Sequence, residues 1–426
     1  MLDNQLLQSW LDSIPDLYAS ASKRKTAQQE PSPPALAMEG DTPKKRRLID
    51  PDRTPRATNL PPLSSGASSI SLFESSGGAS RSSSPKKQML GLRLDDKGLE
   101  FRQLNMDTAP PVVAGLLDKI REIGSGIEIL PGAQRDAILQ NPRVRGQSTR
   151  LWRFAFNEDR VEDALPGRVP LPEEVSLVCE HARHCHDGSH EEASWNVEVH
   201  HRLLQAILRD PGSATGKAID FTTCTTARPH RKFVPCSSTA KMVGFCLYLN
   251  KDLDLHALQA FGRQTPTLTV NHADFAPLQL SLVLLSVETK RPGKELDAAQ
   301  LQMGVWHAAQ WSFLRSAIGL TSRPLTAEEE VRRKQNAHGA LVELGFIPGI
   351  IVQGHRWLFV FSTLEGDKTV LWTERQFGTT QSILDAYSIV AGVRELAGWA
   401  RDVYVPWFQE NVLSGFLADT EGDVVG

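Results

Sequence analysis

Apolar positions along this chain fall into two periodicities. Glu191–Asp210 carries Trp195, Val199, Leu203 and Ala206 at three- and four-residue spacing, with no Pro or Gly before Pro211, which predicts an amphipathic helix. Glu192 falls on the same stripe, where a carboxylate is costly unless paired, hydrogen-bonded, metal-bound or helped by the dipole of the first turn. Val112, Val113, Leu116, Leu117 and Ile120 predict a shorter helix, and Ala133–Leu139 another. Leu296 to about Ala317 reads as a long helix carrying Gln300, Gln302, Trp306 and Trp311, and Thr380–Trp399 as a closing one.

Between these lie strand-like runs at Met242–Leu249, Leu280–Val287, Ile350–Val352, Trp357–Ser362 and Thr369–Trp372, the last three set apart by Gly354, Gly366 and Asp367. Leu280–Val287 is nearly continuous in apolar residues, as expected of a strand buried on both faces. The order helix, strands, helix, strands, helix predicts an α/β fold with a mixed central sheet flanked by helices on both faces. At the end of the Leu280–Val287 strand, Glu288 and Lys290 point to one face and Val287 and Thr289 to the other, so a charged pair emerges side by side.

Ahead of this region the periodicity stops. From about Ser20 to Lys97 the chain is Ser, Pro, Gly, Ala and charge, a composition that buries too little apolar area to offset its chain entropy. The expected organisation is a short amphipathic helix over 1–19, a disordered linker over 20–98, a globular domain over 99–418 with its core at about 171–412, and a flexible terminus over 419–426. In the first segment Leu6, Leu7, Trp10, Leu11, Ile14 and Leu17 form one stripe, too short to be stable alone, that docks either on its own domain or on a partner protein. In the linker, Lys44, Lys45, Arg46 and Arg47 follow Pro43 as an isolated basic run of the kind nuclear import receptors read, which makes the nucleus the expected location.

Charge divides in the same place. The 426 residues hold 47 Lys+Arg against 50 Asp+Glu, but residues 1–98 carry 14 and 11, leaving 33 and 39 for residues 99–426. Basic function therefore concentrates in the tail. The five cysteines are too few and too irregular for a stapled secreted scaffold, Asp3 stands where a signal peptide is basic, and no apolar run is long enough to span a bilayer. A soluble intracellular protein with no membrane partner is expected.

A carboxylate and a lysine two residues apart at a strand end suit metal-dependent phosphodiester hydrolysis. The carboxylate holds Mg²⁺, for which Mn²⁺ substitutes, and the ammonium steadies or deprotonates the attacking water. With Glu192-x-x-Trp195-Asn196-x-x-Val199-His200, Ser238-x-x-Lys241-Met242-Val243, Val270-Asn271-His272, Leu285-Ser286-Val287-Glu288-Thr289-Lys290-Arg291-Pro292 and Gln300-Leu301-Gln302-x-Gly304-Val305-Trp306 in this order, the chain resembles the PD-(D/E)XK nuclease-like domain of many fungal proteins, related to restriction endonucleases and RecB-type nucleases. That resemblance implies a restriction endonuclease-like core, DNA as substrate, and a site built from Glu192, Glu288 and Lys290 with Gln302 beside it. Where the family pattern usually has a metal-binding Asp after Lys-Met-Val, this chain has Gly244. Asp274 is a substitute metal ligand by spacing, and Asp252 and Asp254 are further options.

Cys179, His181, His184, Cys185, His186 and His190 crowd one segment, read as a loop, with Cys224 and Cys236 as further ligands, but no spacing matches a zinc finger or ribbon and zinc is not expected. No Gly-x-Ser-x-Gly elbow or phosphate loop is present. Two classes remain: a Mg²⁺-dependent nuclease, and a catalytically inactive nuclease fold serving as a nuclear interaction or scaffold protein. The acidic balance of residues 99–426 favours the second, while a groove holding Lys241, Lys290, Arg291, Lys294 and Arg375 favours the first.

Overall fold

The computed structural model describes residues 84–417, except 106–107, 147–149, 160–162, 236–237, 239–240, 252, 294 and 323–324. The Leu6–Leu17 stripe, the Lys44–Arg47 run, Cys236, Asp252 and Lys294 lie outside the described residues.

Seven strands form one sheet: β1 (Leu99–Gln103), β2 (Ile219–Thr223), β3 (Phe245–Leu249), β4 (Val283–Lys290), β5 (Ile347–Gln353), β6 (Arg356–Glu365) and β7 (Lys368–Thr379). Their spatial order is β1-β7-β6-β5-β4-β3-β2. β4 and β5 are parallel, as are β1 and β7, and the remaining neighbours are antiparallel, so the sheet is mixed as expected. Alternation along β6 shows why helices cover both faces. Leu358 and Val360 cluster with Ala299, Leu301 and Met303 of helix α7 (Leu296–Ala317), while Trp357, Phe359 and Phe361 cluster with Ile389, Val390 and Val393 of helix α9 (Ile383–Trp399). A Cβ at Gly349 of β5 would sit 2.9 Å from His307 Nε2, so a glycine there lets α7 lie directly on the sheet.

All eight residues of β4 are buried, as expected of a strand covered on both faces, but the strand is Val283–Lys290 and leaves Leu280 to Leu282 in the turn before it. Met242 to Gly244 precede β3 rather than belonging to it. Pro85–Leu94, assigned from composition to the linker, forms helix α1, started by Ser84 as N-cap and Pro85 at the first position. Helix α2 is Ala114–Gly124. The Cys/His-rich segment is also helical: Cys179, His181, His184, Cys185 and His186 all lie on α3 (Pro172–Asp187), so the loop reading is corrected. Proline opens that helix, and Glu174 bonds back to the Leu171 amide at 2.8 Å.

The Glu191–Asp210 stripe becomes α4 (Glu192–Trp195), a π segment at Asn196–His200 and α5 (His201–Leu208). Trp195, Val199 and Leu203 are buried as their spacing requires. Helix α6 (Leu255–Gln264) is capped by Asp254, which accepts from the His256 amide at 2.8 Å and so has a structural task. Helix α8 (Ala327–Leu344) was missed by apolar periodicity, although Thr326 and Glu329 form the capping box that marks its start. Among the described residues no helix is long and apolar enough to cross a membrane.

Candidate active site

The end of β4 is where the predicted residues meet. Glu288 and Lys290 share a face of the strand, and β5 pairs with them in parallel, Glu288 opposite Ile351 and Lys290 opposite Gln353. Contrary to the expectation that this pair emerges, Glu288 is 1% and Lys290 6% exposed. Lys290 Nζ donates to Glu288 Oε1 at 2.7 Å, to the Thr289 carbonyl at 2.9 Å and to Glu192 Oε2 at 3.2 Å. The other Glu192 oxygen accepts from Thr289 Oγ1 at 3.3 Å, so one carboxylate spans the strand end. Glu192 is the first residue of α4, where the helix dipole also favours its charge. Its side chain keeps 37% exposure and is the part of the cluster that meets solvent.

The turn between β5 and β6 fixes this end of the sheet. Gly354 donates its N–H to the Lys290 carbonyl at 2.8 Å, and its own carbonyl meets His200 Nε2 at 3.2 Å. His200 in turn contacts Asn196 Oδ1 at 3.0 Å within the π segment. Gly354 has φ +57, and a Cβ there would sit 2.3 Å from Pro292 Cγ, so glycine is required both by conformation and by space. A π segment, a histidine and a glycine turn thereby tie the helix that carries Glu192 to the strand that carries Lys290. The sequence motif contains Asn196 and His200, but nothing in it gives their positioning task, and it marks Gly354 only as a strand breaker.

Burial is the largest influence on Glu288 and pushes its carboxyl up to about 8, with the Lys290 charge pulling the other way. Burial also works against the Lys290 ammonium, but the charges of Glu288 and Glu192 outweigh it and hold the proton above the ordinary lysine range. The two tendencies meet in one contact. An ammonium donating to three oxygens has the geometry of an ion pair, and the pair with Glu288 is complete once pH exceeds the raised Glu288 value.

The family's usual aspartate position is equally clear. Phe245 pairs with Val287 in antiparallel register, so Gly244, one step earlier, falls opposite Glu288. A Cβ at Gly244 would lie 2.7 Å from Thr289 Oγ1 and 2.8 Å from its Cγ2, so the position lacks a carboxylate and the space for one is taken. Asp274 does not fill the gap. It is exposed on a separate two-residue ribbon, in register with Arg228, and it is not among the charges acting on Glu288. Gln302 donates from α7 to the Met242 carbonyl at 3.2 Å and so holds the segment leading into Gly244. Arg291 is ion-paired with Glu191 at 2.8 Å.

Among the described residues no group of three or more His, Cys, Asp or Glu is arranged to hold a metal ion. Two carboxylates remain, which is within what Mg²⁺ uses when waters and substrate phosphates complete its shell. Of the cysteines proposed as zinc ligands, Cys179 is half-buried, its thiol pushed up to about 12 chiefly by burial, and Cys185 and Cys224 are buried.

Comparison with curated proteins and with solved structures returned no match. A family model described as the PD-(D/E)XK nuclease superfamily does match, over residues 139–405, more than half of the 426-residue chain and the span containing Glu192, Gly244, Glu288, Lys290 and Gln302. The chain belongs to the PD-(D/E)XK nuclease superfamily.

Proposed function

We propose that the protein is a divalent-metal-dependent nuclease that hydrolyses phosphodiester bonds in DNA, with Glu288, Lys290 and Glu192 as its centre. The observation that carries this reading is the convergence on one ammonium of two carboxylates, one of them 98 residues away in sequence. Glu288 and Glu192 are the groups that would hold Mg²⁺ or Mn²⁺, which when bound polarises a phosphate oxygen and acidifies a water. Lys290, kept charged by both carboxylates, offsets negative charge developing on the phosphorus oxygens and is not suited to remove a proton. Gln302 acts as a positioning residue through Met242. Nuclear import through Lys44–Arg47 and partner docking on the Leu6–Leu17 helix belong to the same proposal and rest on sequence alone.

The test is calorimetric titration of the full chain with Mg²⁺ and Mn²⁺, alongside cleavage of labelled duplex and single-stranded DNA in the same samples. Glu288→Gln is expected to abolish metal binding and cleavage together, and Lys290→Met to lower cleavage by about a hundredfold or more. A wild-type chain that neither binds metal nor cleaves refutes the proposal.

The closed space at Gly244 favours a second reading, an interaction protein that keeps the nuclease fold without the chemistry. Restoring the carboxylate separates the two. Gly244→Asp alone forces Thr289 aside and is expected to cost about 1–3 kcal/mol, whereas Gly244→Asp with Thr289→Ala makes room for the new side chain. Metal binding that appears only in the double variant supports the second reading; binding already present in the wild type and merely strengthened supports the first.

A further inference from the structure

The globular region is acidic in sum, yet from Phe221 to Lys251 it contains no Asp or Glu and five Lys or Arg. Four of these, Arg228, Arg231, Lys232 and Lys241, lie in the connection between β2 and β3, which leaves and returns beside the site: the Cys224 amide donates to the Gly244 carbonyl at 2.8 Å. No described residue forms an ion pair with any of the four. Only Arg228 faces an acid in register, Asp274. Described residues near the two ends of this connection touch α7. Its Met242 end is held by Gln302, and at its other end Phe233 packs on Phe313 at 5.5 Å between ring centres. There Lys232 lines a cavity of about 270 Å³ with Trp311, Ser312 and Arg315 of α7 and with Lys97, which follows α1. The acids in the same cavity are Asp95 and Asp367, and Arg315 is bonded to Asp367.

We infer that Lys241, Arg231, Lys232 and Lys97 form a track for the sugar-phosphate backbone of the nucleic acid whose scissile phosphate is presented to Lys290. From Gln302 to Ser312 is ten residues of helix, about 15 Å at 1.5 Å per residue. Along a duplex each strand carries a phosphate about every 3.4 Å, so the track matches about four phosphates on one side of the cut. Its chemistry is that of backbone recognition: Lys97, Arg231 and Lys232 are exposed cations, and Lys241 is a half-buried one at the end nearest the site. This inference rests on the proposed nuclease reading for the identity of the reacting bond, but not for the binding itself.

The experiment measures binding of a short fluorescein-labelled oligonucleotide, single-stranded and duplex, to the full chain in EDTA across a salt series, with cleavage assayed separately in Mg²⁺. The variants are Lys232→Glu alone, the triple Lys97→Ala, Lys232→Ala, Lys241→Ala, and Lys217→Ala as a control cation paired with Asp210 elsewhere. Since the basic tail is present in every sample, the readout is the difference between variants. The triple variant, folded by circular dichroism, is expected to bind at least about tenfold more weakly at low salt and to flatten the salt slope by about two to three units, with Lys232→Glu alone showing part of both effects and Lys217→Ala neither. Affinity and slope equal to wild type in the triple variant overturn the track, and so does a wild type that binds neither probe. Track-dependent binding without any cleavage upholds the track and removes the nuclease reading; cleavage with track-independent binding does the reverse.

Discussion

Lys290→Met is expected to destabilise the fold by about 3–5 kcal/mol at alkaline pH, where Glu288 is ionised, more than any surface substitution, because it strands a buried carboxylate. Glu288 is 2% exposed at its side chain, and among the described residues its cationic partner is the Lys290 ammonium at 2.7 Å. Replacing both partners, Glu288→Gln with Lys290→Met, removes the charge as well as its counter-charge and is expected to recover most of the loss. The cost should also vary with pH in a fixed direction. Burial raises the Glu288 carboxyl, so the folded state binds its proton more readily than the unfolded state, and stability from this group is complete below the ordinary carboxylate range and lost as pH rises through the folded value. Without Lys290 that loss is larger. Urea denaturation of the four members of the cycle at mildly acidic and mildly alkaline pH measures both effects. A double variant as unstable as Lys290→Met, or a single variant insensitive to pH, contradicts the ion-pair assignment. The cycle also protects the functional test, because a loss of cleavage in Lys290→Met counts as chemistry only where the protein remains folded.

What the sequence revealed and what it hid follow from the range of the forces involved. β4 was legible because a strand covered on both faces must be apolar throughout, and Glu288 and Lys290 were legible because charges at the end of such a run are costly without a purpose. The face they share follows from the two-residue period of a strand. Their burial does not, because it depends on Glu192 arriving from a distant helix. Helix α8 was hidden by its weak stripe: its exposed faces carry Glu328, Glu329, Arg332 and Lys334, and only Ala337, Ala340, Leu341 and Leu344 are buried. Linker composition concealed α1, which buries only Leu92 of its ten residues. The Cys/His segment is helical because its apolar positions, not its ligand-type residues, set its period; Val175, Val178, Ala182 and Cys185 are buried at helical spacing. The gap at Gly244 was visible as a departure from the family pattern. That Thr289 occupies the space is a fact of packing that no local pattern encodes.

Acid should unfold this protein steeply, and the reason lies in three buried imidazoles. His200, His272 and His307 are each fully enclosed, and burial depresses them to about 4, about 3 and about 3. His272 lies edge-on to Trp306 with ring centres 4.8 Å apart, and His307 Nδ1 meets Ser362 Oγ at 3.0 Å; among the described residues neither Nε2 has a hydrogen-bond partner. The folded state therefore keeps all three neutral at pH values where the unfolded chain has taken up protons. Between the ordinary histidine value, about 6.5, and the folded values the unfolded chain binds more protons, so stability is fully present above about 6.5 and lost as pH falls. Each histidine contributes a slope of up to about 1.4 kcal/mol per pH unit, and the three together about 4 kcal/mol per unit near pH 5, from which the raised Glu288 carboxyl subtracts up to about 1.4. Urea midpoints measured from pH 7 to pH 4.5 give the slope directly; His272→Gln and His307→Gln are each expected to lower it by about one histidine's share, and a flat profile in the wild type contradicts the burial argument. His200 links this to the site. Its Nε2 faces the Gly354 carbonyl, a contact that favours the charged ring, so burial alone makes His200 acid-sensitive, and the Gly354 turn that ties it to the end of β4 is expected to be lost only with the fold itself.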